Sequence, residues 1–275
     1  MKISIKTPKE IKIMHQGGEK LSFILGQLFE MAKPGVNLLD IEKKAVQLIK
    51  KTGGEPAFAR VPGYHWATCL NINEEIVHGV PKDYIIKAGD VVNIDIGLYY
   101  KGFNTDMSST LLVKNSPKDT SEVAQEPRSG AQMTPARGKE INRFLKTGKK
   151  ALKEAINQAR SGNYIGHISQ KIQEIIEGAG YSCARTLTGH GIGRKLHEPP
   201  SIPCFIQSRI KDTPLLKSGM IVAIEVIYSY GGSELVINPK DKWTIKTKDG
   251  KISAVFEETI AINKKGALVL TKLPF

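Results

Sequence analysis

The chain has 275 residues, 40% of them apolar, and a formal net charge of +13. That length fits one large domain or two small ones, with enough apolar residues for a sizeable core. No apolar run is long enough to span a membrane, and the first residues lack a signal peptide's apolar stretch, so a cytoplasmic location is expected.

In chain order, the first expected helix covers 8–32. Thr7 supplies the cap, Pro8 the first helical position and Glu10 the reciprocal cap, and Lys33-Pro34-Gly35 ends it. A second helix, 39–52, has Asp40 near its start and stops at Gly53-Gly54. Strand-like runs follow at Cys69–Ile72, Glu75–His78, Val91–Tyr99 and Phe103–Val113, the last two joined by a turn at Lys101-Gly102. Residues 114–138 are rich in Pro, Ser, Gly and Lys and read as a flexible surface insertion. Helices are expected at 139–160 and 165–177. The first carries a basic stripe of Lys146, Lys149, Lys150 and Lys153, either a solvated face or a contact for RNA. Strands return at 220–230 and 233–238, and 243–248 and 251–262 read as a hairpin around Asp249-Gly250.

An internal repeat organises these elements. Lys87-Ala-Gly-Asp-Val-Val-Asn-Ile-Asp95 matches Lys217-Ser-Gly-Met-Ile-Val-Ala-Ile-Glu225, and a Gly-turned helix precedes each run. Two duplicated halves would set Asp95 opposite Glu225, and His78 opposite His197, across a central cleft.

Asp95, Asp106, Glu225 and Glu257 all lie in apolar strand-like runs with no basic residue beside them. One buried acid is usually structural; four point to a bound cation, because an unpaired buried carboxylate is costly. His190, in the glycine-rich loop Gly189-His-Gly-Ile-Gly193, is the natural fifth ligand. Such an oxygen-rich set suits two divalent ions and hydrolytic chemistry. The cysteines Cys69, Cys183 and Cys204 are odd in number with no Cys-x-x-Cys pair, so reduced, buried thiols are expected.

Together the segments NINEEIVHGVP (71–81), GDVVNIDIG (89–97), GHGIGRKLHE (189–198), WTIKTKDG (243–250) and FEET (256–259) resemble type I methionine aminopeptidases of bacterial form. The resemblance implies an α+β fold of the "pita-bread" kind and a single catalytic domain over 1–275. It implies two divalent ions (Co, Mn, Fe(II) or Zn) held by Asp95, Asp106, His190, Glu225 and Glu257, with Asp106 and Glu257 bridging. The ions would activate a hydroxide to cut the first peptide bond after methionine, where the second residue is small. Glu225 would shuttle the proton, and His78 and His197 would contact the scissile peptide and the developing oxyanion. Tyr64, Trp66, Cys69, Leu196 and Trp243 would wall the methionine pocket. The implied partners are nascent polypeptide N-termini, with transient ribosome contact near the exit tunnel, no specific DNA, no membrane and a monomeric state.

The chain departs from the family pattern at Val226, where Pro is usual, at Leu187, where an aromatic is common, and in a shortened 63–69 segment. Glu258 stands where His is usual and is expected to add charge near the metals. The rival readings are an Xaa-Pro-type aminopeptidase of the same fold and a non-catalytic ribosome- or RNA-binding module. A type II enzyme carries an insertion between its last two acidic ligands, whereas Glu225 and Glu257 are only 32 positions apart.

Overall fold

The computed structural model describes residues 3–114 and 134–272. Each half of the chain opens with two helices. In the first half α1 (Pro8–Met31) and α2 (Leu38–Lys51) have 24 and 14 residues; in the second, α3 (Pro135–Gln158) and α4 (Ile165–Gly178) again have 24 and 14. Between α2 and α3 lie β1 (Glu55–Pro56), β2 (Thr68–Ile72), β3 (Glu75–Val77), β4 (Val91–Tyr100) and β5 (Phe103–Leu112). After α4 come β6 (Ser182–Cys183), β7 (Thr188–Gly191), β8 (Glu198–Pro203), β9 (Ile221–Ser229), β10 (Leu235–Ile237), β11 (Ile245–Thr247), β12 (Ser253–Ile262) and β13 (Ala267–Val269).

Local chemistry sets the helix starts. Glu10 N donates to Thr7 Oγ1 at 3.3 Å and Thr7 N donates to Glu10 Oε2 at 2.9 Å, closing the capping box expected from the sequence. Helix α3 begins at Pro135, earlier than the expected 139, because Thr134 caps it by accepting from Arg137 N at 3.2 Å. The tail of the 114–138 insertion is therefore helical, and its 115–133 stretch lies outside the described residues. Lys146, Lys150 and Lys153 are exposed on α3, but Lys149 is half-buried with its Nζ 5.9 Å from the centre of the Phe256 ring, so it leaves the basic stripe.

The main sheet has ten strands, in the order β1-β4-β5-β12-β9-β7-β8, with β2 beside β4, β6 beside β9 and β13 beside β12. Its centre, β4-β5-β12-β9, places the two halves back to back, with β5 and β12 antiparallel at the middle. Gly89 (φ +93°) and Gly219 (φ +89°) make matching left-handed turns just ahead of β4 and β9. The repeat seen in the sequence is thus a duplication in space.

The helices cover one face of this sheet, α1 against β4 and β5, α3 against β9 and β12. Each half has its own core. Ile24, Leu28 and Ile41 pack with Val92, Ile94 and Met107 in the first; Phe144, Ile168 and Ile172 pack with Val222, Ile224 and Val226 in the second. Each such fully buried side chain contributes about 1.5–3 kcal/mol of hydrophobic stabilisation.

Two sequence expectations are corrected. The turn at Asp249-Gly250 forms, with Gly250 at φ +69°, but its flanking strands do not pair. Strand β11 joins a separate sheet, β10-β11-β3, because β5 and β9 already occupy the two edges of β12. The Gly189-His190-Gly191 segment is strand β7, not a loop. A Cβ on Gly189 would lie 2.6 Å from Ala223 O, and one on Gly191 2.2 Å from Pro199 O, so the glycines serve close strand approach.

Candidate active site

One rung of the sheet carries most of the acids. Asp95 pairs with Ser108, Ser108 with Glu257, and Glu257 with Glu225, across β4, β5, β12 and β9. Asp106 stands two residues from Ser108 on β5, which keeps it on the same face, since side chains alternate along a strand. The apolar neighbours Ile94, Met107, Ile224 and Phe256 therefore point to the helices, and the four carboxylates point away from them. His190 enters from β7, opposite Ala223 on β9, with its Nε2 3.5 Å from Glu225 Oε1. One donor atom each from Asp106, His190 and Glu257 lie within 4.8 Å of one another.

The electrostatics of this cluster are those of a cation site. Asp95 Oδ1, Asp106 Oδ1 and Glu257 Oε1 are buried without a hydrogen-bond partner. Burial pushes Asp95 up to about 7. Burial, then the charges of Asp95 and Glu225, pushes Asp106 well above the carboxylate range. Burial and then Asp95 do the same to Glu225. Burial and then Asp106, Glu225 and Asp95 do so to Glu257. Carboxylates so crowded need protons or a metal between them.

Burial pushes His190 down to about 3, so its ring is neutral. Its Nδ1 lies 2.9 Å from Gly191 O, a group that can only accept, so Nδ1 carries the proton. The Nε2 lone pair is thereby left facing the Glu225 carboxylate, an arrangement that a cation between them satisfies. Four carboxylates and one neutral imidazole match the donor preferences of divalent transition ions.

Beside the cluster lies a cavity of about 610 Å³. Tyr64, Cys69, Leu196 and Trp243 line it, together with His78 and His197 and all five cluster residues. Cys69 pairs with Asp95 and so extends the acidic rung to the cavity wall. The Tyr64 hydroxyl donates to Thr68 O at 2.8 Å, and the Tyr64 ring meets Trp243 edge-on at 5.1 Å. Trp243 is held by Asp241 Oδ1, which accepts from Trp243 N at 2.9 Å and Thr244 N at 2.8 Å. His78 sits at φ +56°, a left-handed conformation held by Gly79, whose N–H donates to Asn71 Oδ1 and whose carbonyl accepts from Leu70 N. The His190 and His197 rings meet edge-on at 4.4 Å. Burial lowers the pKa of both His78 and His197, and His197 lowers that of His78 further.

Trp66 packs beside the Phe58–Tyr64–Cys69 cluster but is not among the residues lining the cavity. Phe58, Val61, Thr186, Thr188, Pro199, Ser201 and Ile227 also line it, and the sequence reading did not select them. They come from a 3₁₀ turn, a loop and strand positions without a motif, so only their shared space marks them. Leu187 lines the cavity as well, whereas Val226 is buried among the helices' core residues. Glu258 pairs with Met107 and Ile224, both on the helix side. Alternation therefore turns it away from the acidic cluster, against the expectation of added charge near the metals.

The comparisons agree with this geometry. The model of metallopeptidase family M24 matches residues 12–264, and the chain belongs to that family. The chain is 36% identical to the methionine aminopeptidase of Aquifex aeolicus, over 99% of this chain and all of that one. The crystal structure of the Thermotoga maritima methionine aminopeptidase superposes with a TM-score of 0.86 at 35% identity, covering 98% of this chain and 100% of the other. The prolidase from Pyrococcus furiosus superposes less well, with a TM-score of 0.72 at 25% identity, and only 65% of it is covered. The fold is the pita-bread fold of these metallopeptidases, and membership implies use of a divalent metal. Among the described residues no helix is long and apolar enough to cross a membrane.

Proposed function

We propose that this protein removes the N-terminal methionine from nascent polypeptides whose second residue is small, acting in the cytoplasm as a single catalytic domain over residues 1–275. The observation that carries the reading is the cavity walled by Tyr64, Cys69, Leu196 and Trp243 beside buried carboxylate oxygens of Asp95, Asp106 and Glu257 that have no hydrogen-bond partner. An unbranched thioether fits such an aromatic and sulfur-lined space.

Asp95, Asp106, His190, Glu225 and Glu257 would hold two divalent ions, with Co, Mn, Fe(II) and Zn all compatible with the donors. When bound, these supply a hydroxide nucleophile at neutral pH and polarise the first carbonyl. The protein's side chains do the rest. The aromatic wall positions the methionine side chain. Glu225 takes the proton released on attack and passes it to the departing amine. His78 and His197, neutral because they are buried, donate hydrogen bonds to the scissile peptide and the developing oxyanion.

The exposed lysines of α3, Lys146, Lys150 and Lys153, suit transient contact with ribosomal RNA near the exit tunnel, and the protein acts there as a monomer. The test uses metal-stripped protein with and without Co(II) or Mn(II), and peptides beginning Met-Gly-Ser and Met-Lys, with products read by mass. Metal-dependent loss of one Met from the first peptide alone is expected. Absence of cleavage with either ion overturns the reading, and cleavage of an Xaa-Pro peptide instead would favour the Xaa-Pro-type activity.

A further inference from the structure

Residues 192–197 join β7 to β8, and His197 is the last of them. Three groups from distant parts of the chain hold this loop. Asn104 on β5 donates its backbone N–H to Gly193 O at 2.7 Å and its Nδ2 to Gly193 O at 3.0 Å and Arg194 O at 3.1 Å. Arg194 pairs with Glu10 at 3.0 Å and lies over the Phe103 ring. The third group is Lys6. Its Nζ lies 2.7 Å from Glu198 Oε2, with the two side chains only 4% and 12% exposed.

Glu198 directly follows His197, and its other oxygen accepts from Lys195 N at 3.1 Å, so the carboxylate spans the base of the loop. Lys6 is in turn fixed by its own N–H, which donates to Gly219 O at 2.8 Å just ahead of β9, the strand bearing Glu225. Gly193 makes room for the pair: a Cβ there would lie 2.5 Å from Lys6 Cε and 2.8 Å from Glu198 Oε1.

Stability alone is a weak reason for such a pair, because desolvating two charges offsets most of their attraction. What a buried pair supplies is a fixed geometry. Here the fixed object is the residue that presents a ring to His190 and to the cavity.

We propose that Lys6 and Glu198 are positioning residues: their buried ion pair sets the His197 imidazole, so the segment ahead of α1 completes the active site. The proposal rests on the reading of His197 as a substrate contact. A misplacement of about 1 Å at such a contact lowers turnover by about a hundredfold.

Lys6→Met and Glu198→Gln should each lower kcat on a Met-Gly-Ser peptide at least about tenfold, with KM and bound metal changed less than about twofold. Lys6→Arg, which keeps charge and hydrogen bond, should recover most of the turnover. A second readout needs no activity. The His197 ring proton resonance of the metal-free protein, assigned with His197→Ala, should move in Lys6→Met and Glu198→Gln and stay in place in Lys6→Arg. Should a single variant fail to fold, the double variant Lys6→Met/Glu198→Met leaves no lone buried charge and serves for the same readouts. An unmoved resonance, or an unchanged kcat in folded variants, overturns the proposal. Absence of Met release by the unaltered protein overturns the functional reading instead, and the resonance still decides the positioning role.

Discussion

Glu257 on β12 stands directly opposite Glu225 on β9, two carboxylates on one rung and one face of the sheet. Like charges so paired repel, and both lie buried beside Asp106 and Asp95. The protein keeps this unfavourable arrangement in place by packing Ile224, Val226 and Phe256, the residues that alternate with these acids, into the apolar core beneath the helices. The rung is therefore held ready for a cation by residues that never touch one.

The repulsion has a measurable consequence. Glu257→Gln keeps the side chain's shape and removes a carboxyl that, without metal, must either repel its neighbours or take up a proton on folding, so in chelator the variant should melt higher than the parent. About 1 kcal/mol of relief corresponds to about 2–4 °C for a chain of this size. A variant that melts lower in chelator would show that the carboxylates are not in conflict. With saturating Mn(II) the order should reverse, because the variant lacks one of the proposed ligands.

Divalent metal should stabilise the parent and be required for Met release. An ion present at a hundred times its Kd adds about 2.7 kcal/mol to a protein that binds it only when folded. Asp106→Asn should lose most of that gain and show no turnover. Thermal melts against Mn(II) concentration, beside the peptide assay, test both statements, and full metal protection in the variant would remove Asp106 from the ligand set.

His78 should matter for turnover and not for metal. It lines the cavity from a left-handed backbone, and its ring meets Trp243 edge-on at 6.5 Å. His78→Ala should lower kcat by about 10²–10³, the usual loss for one hydrogen-bond donor to a developing oxyanion. Metal content, measured by elemental analysis, should match the parent. Unchanged turnover would refute the role.

The Lys6–Glu198 pair should show in the acid range. Burial raises the Glu198 pKa, but its bonds to Lys6 and to the Lys195 N–H outweigh this and hold it below the usual value. A carboxyl lowered in the folded state contributes stability above its unfolded value, about 4.3, and that contribution is lost as pH falls through the folded value. The stability gap between the parent and Glu198→Gln should be widest near neutrality and close as the pH drops below about 4. A gap independent of pH, read by urea unfolding, would show that the pair does not titrate with folding.

What the sequence determined by itself was whatever depends on near neighbours or on repetition. The Thr7–Glu10 capping box, the matched runs ending in Asp95 and Glu225, and the acids set in apolar strands were legible because each signal lies within a few residues. The five ligand candidates could be named for the same reason. Tertiary structure alone decided who meets whom. It made a strand of Gly189–Gly191, split β11 from β12 across the turn at Asp249, turned Glu258 to the helix side, and kept Trp66 off the cavity wall. It also joined Lys6 to Glu198 across 192 positions. Hydrogen-bond partners in a sheet and partners of a buried charge are chosen by what space and edges remain once the whole chain has packed, and no local pattern of residues encodes that choice.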